Sequence, residues 1–138
     1  MLAAAMRGRG RLEAAPSPLI ALALPPGGQR RDPRALQALG PTQVLIKRGE
    51  HGASGVDGEL ELEVPAYRVD VVDTVGAGDA FAAGYLVELT RGGTLEQRML
   101  TAAACGACAC RSDGDWESQP SWGDVQGLVE GSGDAVLR

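Results

Sequence analysis

Histidine and lysine each occur once in this 138-residue chain, at His51 and Lys47. A metal site built on paired histidines is therefore excluded, and Ser-His-Asp catalysis would have to run through His51 alone. Aromatic residues are scarce, at 4%, so the core must be assembled from Ala, Val and Leu. No run approaches the roughly 18 apolar residues of a membrane span, and the apolar stretch Leu19–Leu24, enclosed by prolines, is too short. Cysteine is confined to Cys105, Cys108 and Cys110 in one Ala-rich stretch. Two of these at i and i+3 have no second Cys or His pair to complete a metal site. Three clustered, apolar-flanked cysteines read instead as reduced core thiols of a cytoplasmic protein.

What is present fits one globular domain. Apolar residues reach 44%, and 20 glycines point to many turns or close backbone approaches. Residues 1–34 carry six arginines against Glu13 and Asp32, whereas the rest holds seven basic and sixteen acidic residues. An acidic body argues against a nucleic-acid surface, and nothing points to a membrane partner. The Ala- and Arg-rich start lacks the long apolar region of a secretory signal. Residues 1–31, broken by Pro16, Pro18, Pro25 and Pro26, are expected to form an irregular or disordered leader.

From residue 32 the pattern changes. Asp32-Pro33 suits a helix start, with a short helix over Pro33–Leu39 stopped by Gly40-Pro41. Val44-Leu45-Ile46-Lys47 reads as a buried strand. Glycines 49, 52, 55 and 58 then imply a hairpin, with strands near Ala53–Val56 and Glu59–Glu63. Alternation places Leu60, Leu62 and Val64 on one face. A helix from Asp79 to Thr90 should bury Phe81, Tyr85, Leu86 and Leu89, and Gly92-Gly93 ends it. A second helix, Leu95 to Cys110, is dense in small residues and should pack tightly on a neighbour. A short terminal helix covers Trp122–Val129. Strands interleaved with helices indicate an α/β layered sheet, here laid out like the second half of a doubly wound domain with helices on its faces.

One segment carries chemistry: Asp73-Thr74-Val75-Gly76-Ala77-Gly78-Asp79-Ala80-Phe81. Small residues let the backbone turn sharply and leave amide N–H groups uncovered. Those amides open a helix, where unpaired donors and the helix dipole favour an anion. A phosphoryl group in transfer spreads charge over its oxygens and would be stabilised there. Asp79, at the helix start, is placed to accept a proton from an attacking hydroxyl. The spacing of a Walker A loop is absent, and a dinucleotide fingerprint would need glycine where Phe81 stands. As a bare Gly-x-Gly, the same residues read first as a glycine turn whose aspartate simply caps its helix.

The full nonapeptide resembles the C-terminal signature of the PfkB, or ribokinase-like, carbohydrate kinases. Val44–Ala53 is similar to that family's strand and glycine turn along the ATP phosphates, and Gly114–Pro120 resembles the tail of its sugar-acid branch, the 2-keto-3-deoxygluconate kinases. The resemblance implies a kinase that uses ATP and Mg²⁺ on a sugar or sugar-acid hydroxyl. It implies Asp79 as catalytic base, Gly76, Ala77 and Gly78 as anion hole, and Asp73 as a ligand of a monovalent cation such as K⁺. Lys47, Gly49, Glu50 and Gly52 fall on the nucleotide side.

Members of that family are far longer, and their N-terminal half supplies the sugar pocket and a lid. Residues 32–138 therefore read as the ATP-binding and catalytic portion without that half. The alternative is an inactive nucleotide-binding remnant or a half-domain that needs a partner, with self-association through an exposed half-sheet. Several residues have two readings. Lys47 is a phosphate contact or a solvated strand end, and His51 touches ribose or only water. Asp113, Asp115 and Glu117 attract Mg²⁺ or form a solvated loop. Trp116 and Trp122 are expected to pack the terminal helix onto the body.

Overall fold

The computed structural model describes residues 20–23, 32–111 and 120–131. Strand β1 (Ile20–Ala23) is followed by helix α1 (Pro33–Gln37), strand β2 (Gln43–Lys47), a 3-10 turn at Gly49–His51 and strands β3 (Ala53–Asp57) and β4 (Leu60–Val64). Helices α2 (Ala77–Thr90), α3 (Leu95–Ala109) and α4 (Trp122–Gly131) complete the order. The strands form one sheet in the order β1-β2-β3-β4, with β1–β2 parallel and the other two pairings antiparallel. Residues 20–23 thus depart from the irregular leader expected for 1–31. A four-residue apolar run between prolines has enough length to pair along β2, with Ala21 opposite Val44 and Leu22 opposite Leu45.

Helices cover both faces of the sheet, and β2 shows why. Its alternation sends Val44 and Ile46 to one side, where they join Val56 and the α1 residue Leu36. Leu45 points the other way, into the main core with Ala53, Val64, Phe81, Tyr85, Leu95, Met99 and Ala102. Helix α1 starts with the Asp32 side chain accepting from the Arg34 amide, and Pro33 sits at its first turn. Helix α3 opens on a reciprocal cap between Thr94 and Gln97.

The small residues of α3 do permit close packing. A side-chain carbon added at Gly84 of α2 would come within 2.7 Å of the Cys105 sulfur and 3.1 Å of the Ala102 Cα. Helix α4 docks through Val125 on Ala104, Cys105 and Cys108. The cysteines are free, with Cys105 and Cys108 buried.

One expected core position lies outside the core. Leu86 is 50% exposed, because it falls one residue past the buried Phe81/Tyr85 row and so about 100° around the helix. Leu60 pairs with Asp57 beside the hairpin turn on the edge strand and is 61% exposed, while burial on its face of β4 grows through Leu62 to Val64. Trp122 packs the terminal helix onto the body as expected, with the Arg91 guanidinium at the end of α2 lying 4.2 Å from its ring centroid, while Trp116 lies outside the described residues. Among the described residues, no helix is long and apolar enough to cross a membrane.

Candidate active site

The turn before α2 is tied down from both ends. The Val72 and Asp73 amides donate to the Cys110 carbonyl at 2.8 and 3.3 Å, which fixes the incoming chain on the end of α3. The Asp73 carboxylate accepts from the Val75 amide at 3.0 Å, closing a local turn. The Ala77 amide then reaches back to the Thr74 carbonyl at 3.3 Å. Gly76 turns with φ 78°, in the left-handed region that glycine enters without cost. Its carbonyl starts the helix by accepting from Ala80 at 2.9 Å.

Gly76 is the N-cap, and no side chain caps the helix. The alternative in which Asp79 merely caps α2 is therefore not what the structure shows. The first-turn amides of Gly78 and Asp79 have no acceptor within the helix, so the positive end of the dipole is left open to an anion. Asp79 is exposed beside it.

Lys47 approaches the same turn from the sheet. It shares the α2/α3-facing side of β2 with Leu45, two residues earlier. Its ammonium donates to the Gly78 carbonyl at 3.2 Å and stands 5.8 Å from the Phe81 ring centroid. Burial pushes its pKa below the ordinary lysine value, and the Asp79 carboxylate pulls the other way. Lys47 was assigned to the nucleotide turn from sequence, yet its contacts are with the Gly76–Asp79 turn.

The glycine turn after β2 is compact. Arg48 donates its amide to the Gly52 carbonyl at 2.8 Å, and Gly52 donates to Gly49 at 3.1 Å. Gly49 and Gly52 both have positive φ, 55° and 81°. Glu50 and His51 are exposed, with His51 Nε2 3.7 Å from the Glu50 carboxylate. Arg48 pairs with Glu63 across the sheet at 3.1 Å. Sequence reasoning missed this pair, the Phe81 ring under Lys47 and the Cys110 carbonyl that anchors the turn. A lysine two residues after an inward leucine was a usable signal for the second; no pattern announces a backbone anchor.

No group of three or more His, Cys, Asp or Glu placed to hold a metal occurs among the described residues. The acidic cluster Asp113, Asp115 and Glu117 lies outside them, as does most of Gly114–Pro120.

A family model for pfkB family carbohydrate kinases matches residues 31–122. The chain belongs to that family. Among pfkB relatives, aminoimidazole riboside kinase of Salmonella typhimurium is 41% identical over 90 residues, covering 62% of this chain and 28% of the relative. The solved aminoimidazole riboside kinase from Salmonella enterica, complexed with aminoimidazole riboside and an ATP analog, superposes with a TM-score of 0.62 at 37% identity, over 69% of this chain and 34% of that one. An Escherichia coli structure described as a ribokinase II in complex with ATP and Mg²⁺ gives a TM-score of 0.71 at 25% identity, over 80% of this chain and 39% of that one. The chain spans about a third of the length of these relatives.

Proposed function

We propose that this chain carries the phosphoryl-transfer end of an ATP-dependent kinase acting on a hydroxyl of a sugar or sugar acid. The observation that carries the reading is the uncapped start of α2, with Gly76 in the left-handed region and the Asp79 carboxylate exposed beside it. That donor set suits a phosphate: free first-turn amides, the helix dipole and a nearby ammonium at Lys47. Mg²⁺ would arrive on the nucleotide phosphates that such a site receives.

Bound Mg-ATP supplies the transferable phosphoryl group. Asp79 accepts the proton of the acceptor hydroxyl and holds that oxygen in line. The free Gly78 and Asp79 amides would meet the oxygens on which charge develops, while Gly76 and Ala77 shape the turn that presents them. Gly49, Glu50 and Gly52 would line the nucleotide side, and the resemblance alone would make Asp73 a ligand of a monovalent cation such as K⁺. The sugar-acid preference rests on the resemblance of Gly114–Pro120 alone. Aminoimidazole riboside kinase is named for a riboside and solved with one, so both acceptor classes enter the test. Cytoplasmic placement fits three free thiols.

The experiment is coupled ADP release with Mg-ATP and a panel of pentoses, ribosides, ketoses and 2-keto-3-deoxy acids. Calorimetry with Mg-ATP runs beside it. Turnover with one acceptor, lost in Asp79→Asn while Mg-ATP binding persists, supports the reading. Near-normal turnover in Asp79→Asn overturns the role of Asp79, and absence of both binding and turnover overturns the kinase reading.

A further inference from the structure

We infer that Lys47 is a positioning residue for the phosphoryl-transfer turn, pinning the Gly78 carbonyl so that the first-turn amides of α2 stay aimed at the anion. The inference deepens the proposed function and rests on it for its catalytic consequence.

The contact has the marks of a built joint rather than of a surface lysine at rest. β2 delivers Lys47 to the α2/α3 side of the sheet at the rim of the core, one inward position beyond the buried Leu45. The ammonium is half-buried, donates at 3.2 Å to Gly78 and lies against Phe81, a core residue of the same helix. A carbon added at Gly78 would stand 2.7 Å from the Lys47 nitrogen, so the ammonium occupies the space a side chain would fill. Glycine inside a helix costs about 1 kcal/mol relative to alanine, and at position 78 its absent side chain is what admits the lysine.

The far side of the same turn is seated comparably. A carbon added at Gly106 of α3 would come 3.2 Å from the Ala77 carbonyl. The start of α2 is thus held between a lysine from the sheet and the bare backbone of α3. A carbonyl fixed by a cation points its own amide plane in one direction, and the neighbouring N–H groups are fixed with it. The charge contributes as well: an ammonium next to Asp79 and the helix start favours the negative charge that accumulates there during transfer.

The test compares wild type, Lys47→Met, Lys47→Arg and Gly78→Ala in the whole chain. The first readout needs no ligand: exchange rates of the Ala77 and Ala80 amides, which close the turn on Thr74 and Gly76, measured by NMR against Ala102 in α3 as a control. Lys47→Met should accelerate both by about tenfold, the worth of one charge-assisted hydrogen bond, with Ala102 unchanged and Lys47→Arg close to wild type. Gly78→Ala should show the same acceleration by displacing the ammonium. Wild-type exchange at Ala77 and Ala80 in Lys47→Met overturns the inference.

The second readout is the kinetic split. Lys47→Met should lower kcat about tenfold with the KM for ATP within about threefold of wild type, and Lys47→Arg should recover most of the loss. A raised KM at unchanged kcat would make Lys47 a nucleotide ligand and overturn the inference. If wild type neither binds Mg-ATP nor turns over an acceptor, the kinase reading fails, and the exchange rates alone decide for Lys47.

Discussion

The Tyr85 hydroxyl donates a 2.9 Å hydrogen bond to the Gln43 side-chain oxygen, joining the middle of α2 to the start of β2 inside the core. Both residues are buried, at 1% and 6% exposure. The Gln43 nitrogen continues to Asp57 at 3.1 Å, and Asp57 is paired with Arg98 of α3 at 2.9 Å. One polar chain therefore ties α2, two strands and α3 together. Tyr85→Phe leaves the Gln43 oxygen buried without its donor and should cost about 1–3 kcal/mol. Pairing it with Gln43→Leu should recover part of that loss, because the stranded acceptor goes too. Urea unfolding of the two singles and the double checks this, and strictly additive losses would show that the bond contributes nothing.

Gly84 sets the distance between α2 and α3. Helix propensity alone would make Gly84→Ala stabilising by about 1 kcal/mol. The added carbon, however, would meet the Cys105 sulfur at 2.7 Å and the Ala102 Cα at 3.1 Å. One neighbour is a side chain on a packed helix and the other is backbone, so neither yields freely. Overpacking of this kind costs about 1–3 kcal/mol and should win, giving a lower Tm. Adding Cys105→Ala should restore part of the loss, since the Ala102 contact remains. A Gly84→Ala variant that melts at or above wild type would refute the tight helix pair.

The fold was legible where periodicity met a boundary signal. The run Val44–Lys47 gave β2, glycines 49 to 58 gave the hairpin, and Gly92-Gly93 gave the break between α2 and α3. Leu86 was misplaced because four apolar residues in nine were assigned one face, when only the 81/85 row follows the helical stripe. β1 was missed because four residues between prolines carry no period, and its evidence is the partner strand. Thr94 three residues before Gln97 was a readable capping box for α3 that the apolar pattern overshadowed. At the site, the glycine spacing marked the turn itself. The partners that hold it, Lys47 and the Cys110 carbonyl, come from 31 and 37 residues away (47 to 78 and 73 to 110) and belong to tertiary structure.

The cysteines make the fold sensitive to alkali. Burial pushes the Cys105 thiol up to about 11, helped by the nearby Cys108 and Glu88 charges, and burial also raises Cys108 and Cys110. A thiol whose pKa is higher in the folded state ionises first in the unfolded chain. The unfolded state therefore gains as pH climbs from about 9 toward the folded value, and stability falls across that window. Thermal melts from pH 7 to pH 11 should decline above pH 9, and Cys105→Ala should flatten the decline. In the native protein at pH 8, iodoacetamide should label Cys105 far more slowly than after denaturation. Equal labelling rates in the two states would contradict the burial.

Gly52 separates architecture from ligand binding in the glycine turn. Its φ of 81° is disfavoured for any side-chain-bearing residue, at about 1–2 kcal/mol. A side-chain carbon there would also overlap the Val64 carbonyl oxygen and crowd the Pro65 backbone at 2.9 Å. These are backbone atoms of β4 and the segment leaving it, so relief requires moving the edge of the sheet. Gly49 has a similar φ of 55° but open space around the same carbon. Gly52→Ala should thus lower the urea midpoint severely with no nucleotide present, whereas Gly49→Ala should cost only the conformational strain. If the two substitutions lower the midpoint equally, the turn is not wedged against β4, and Gly52 is a glycine for the sake of the nucleotide instead.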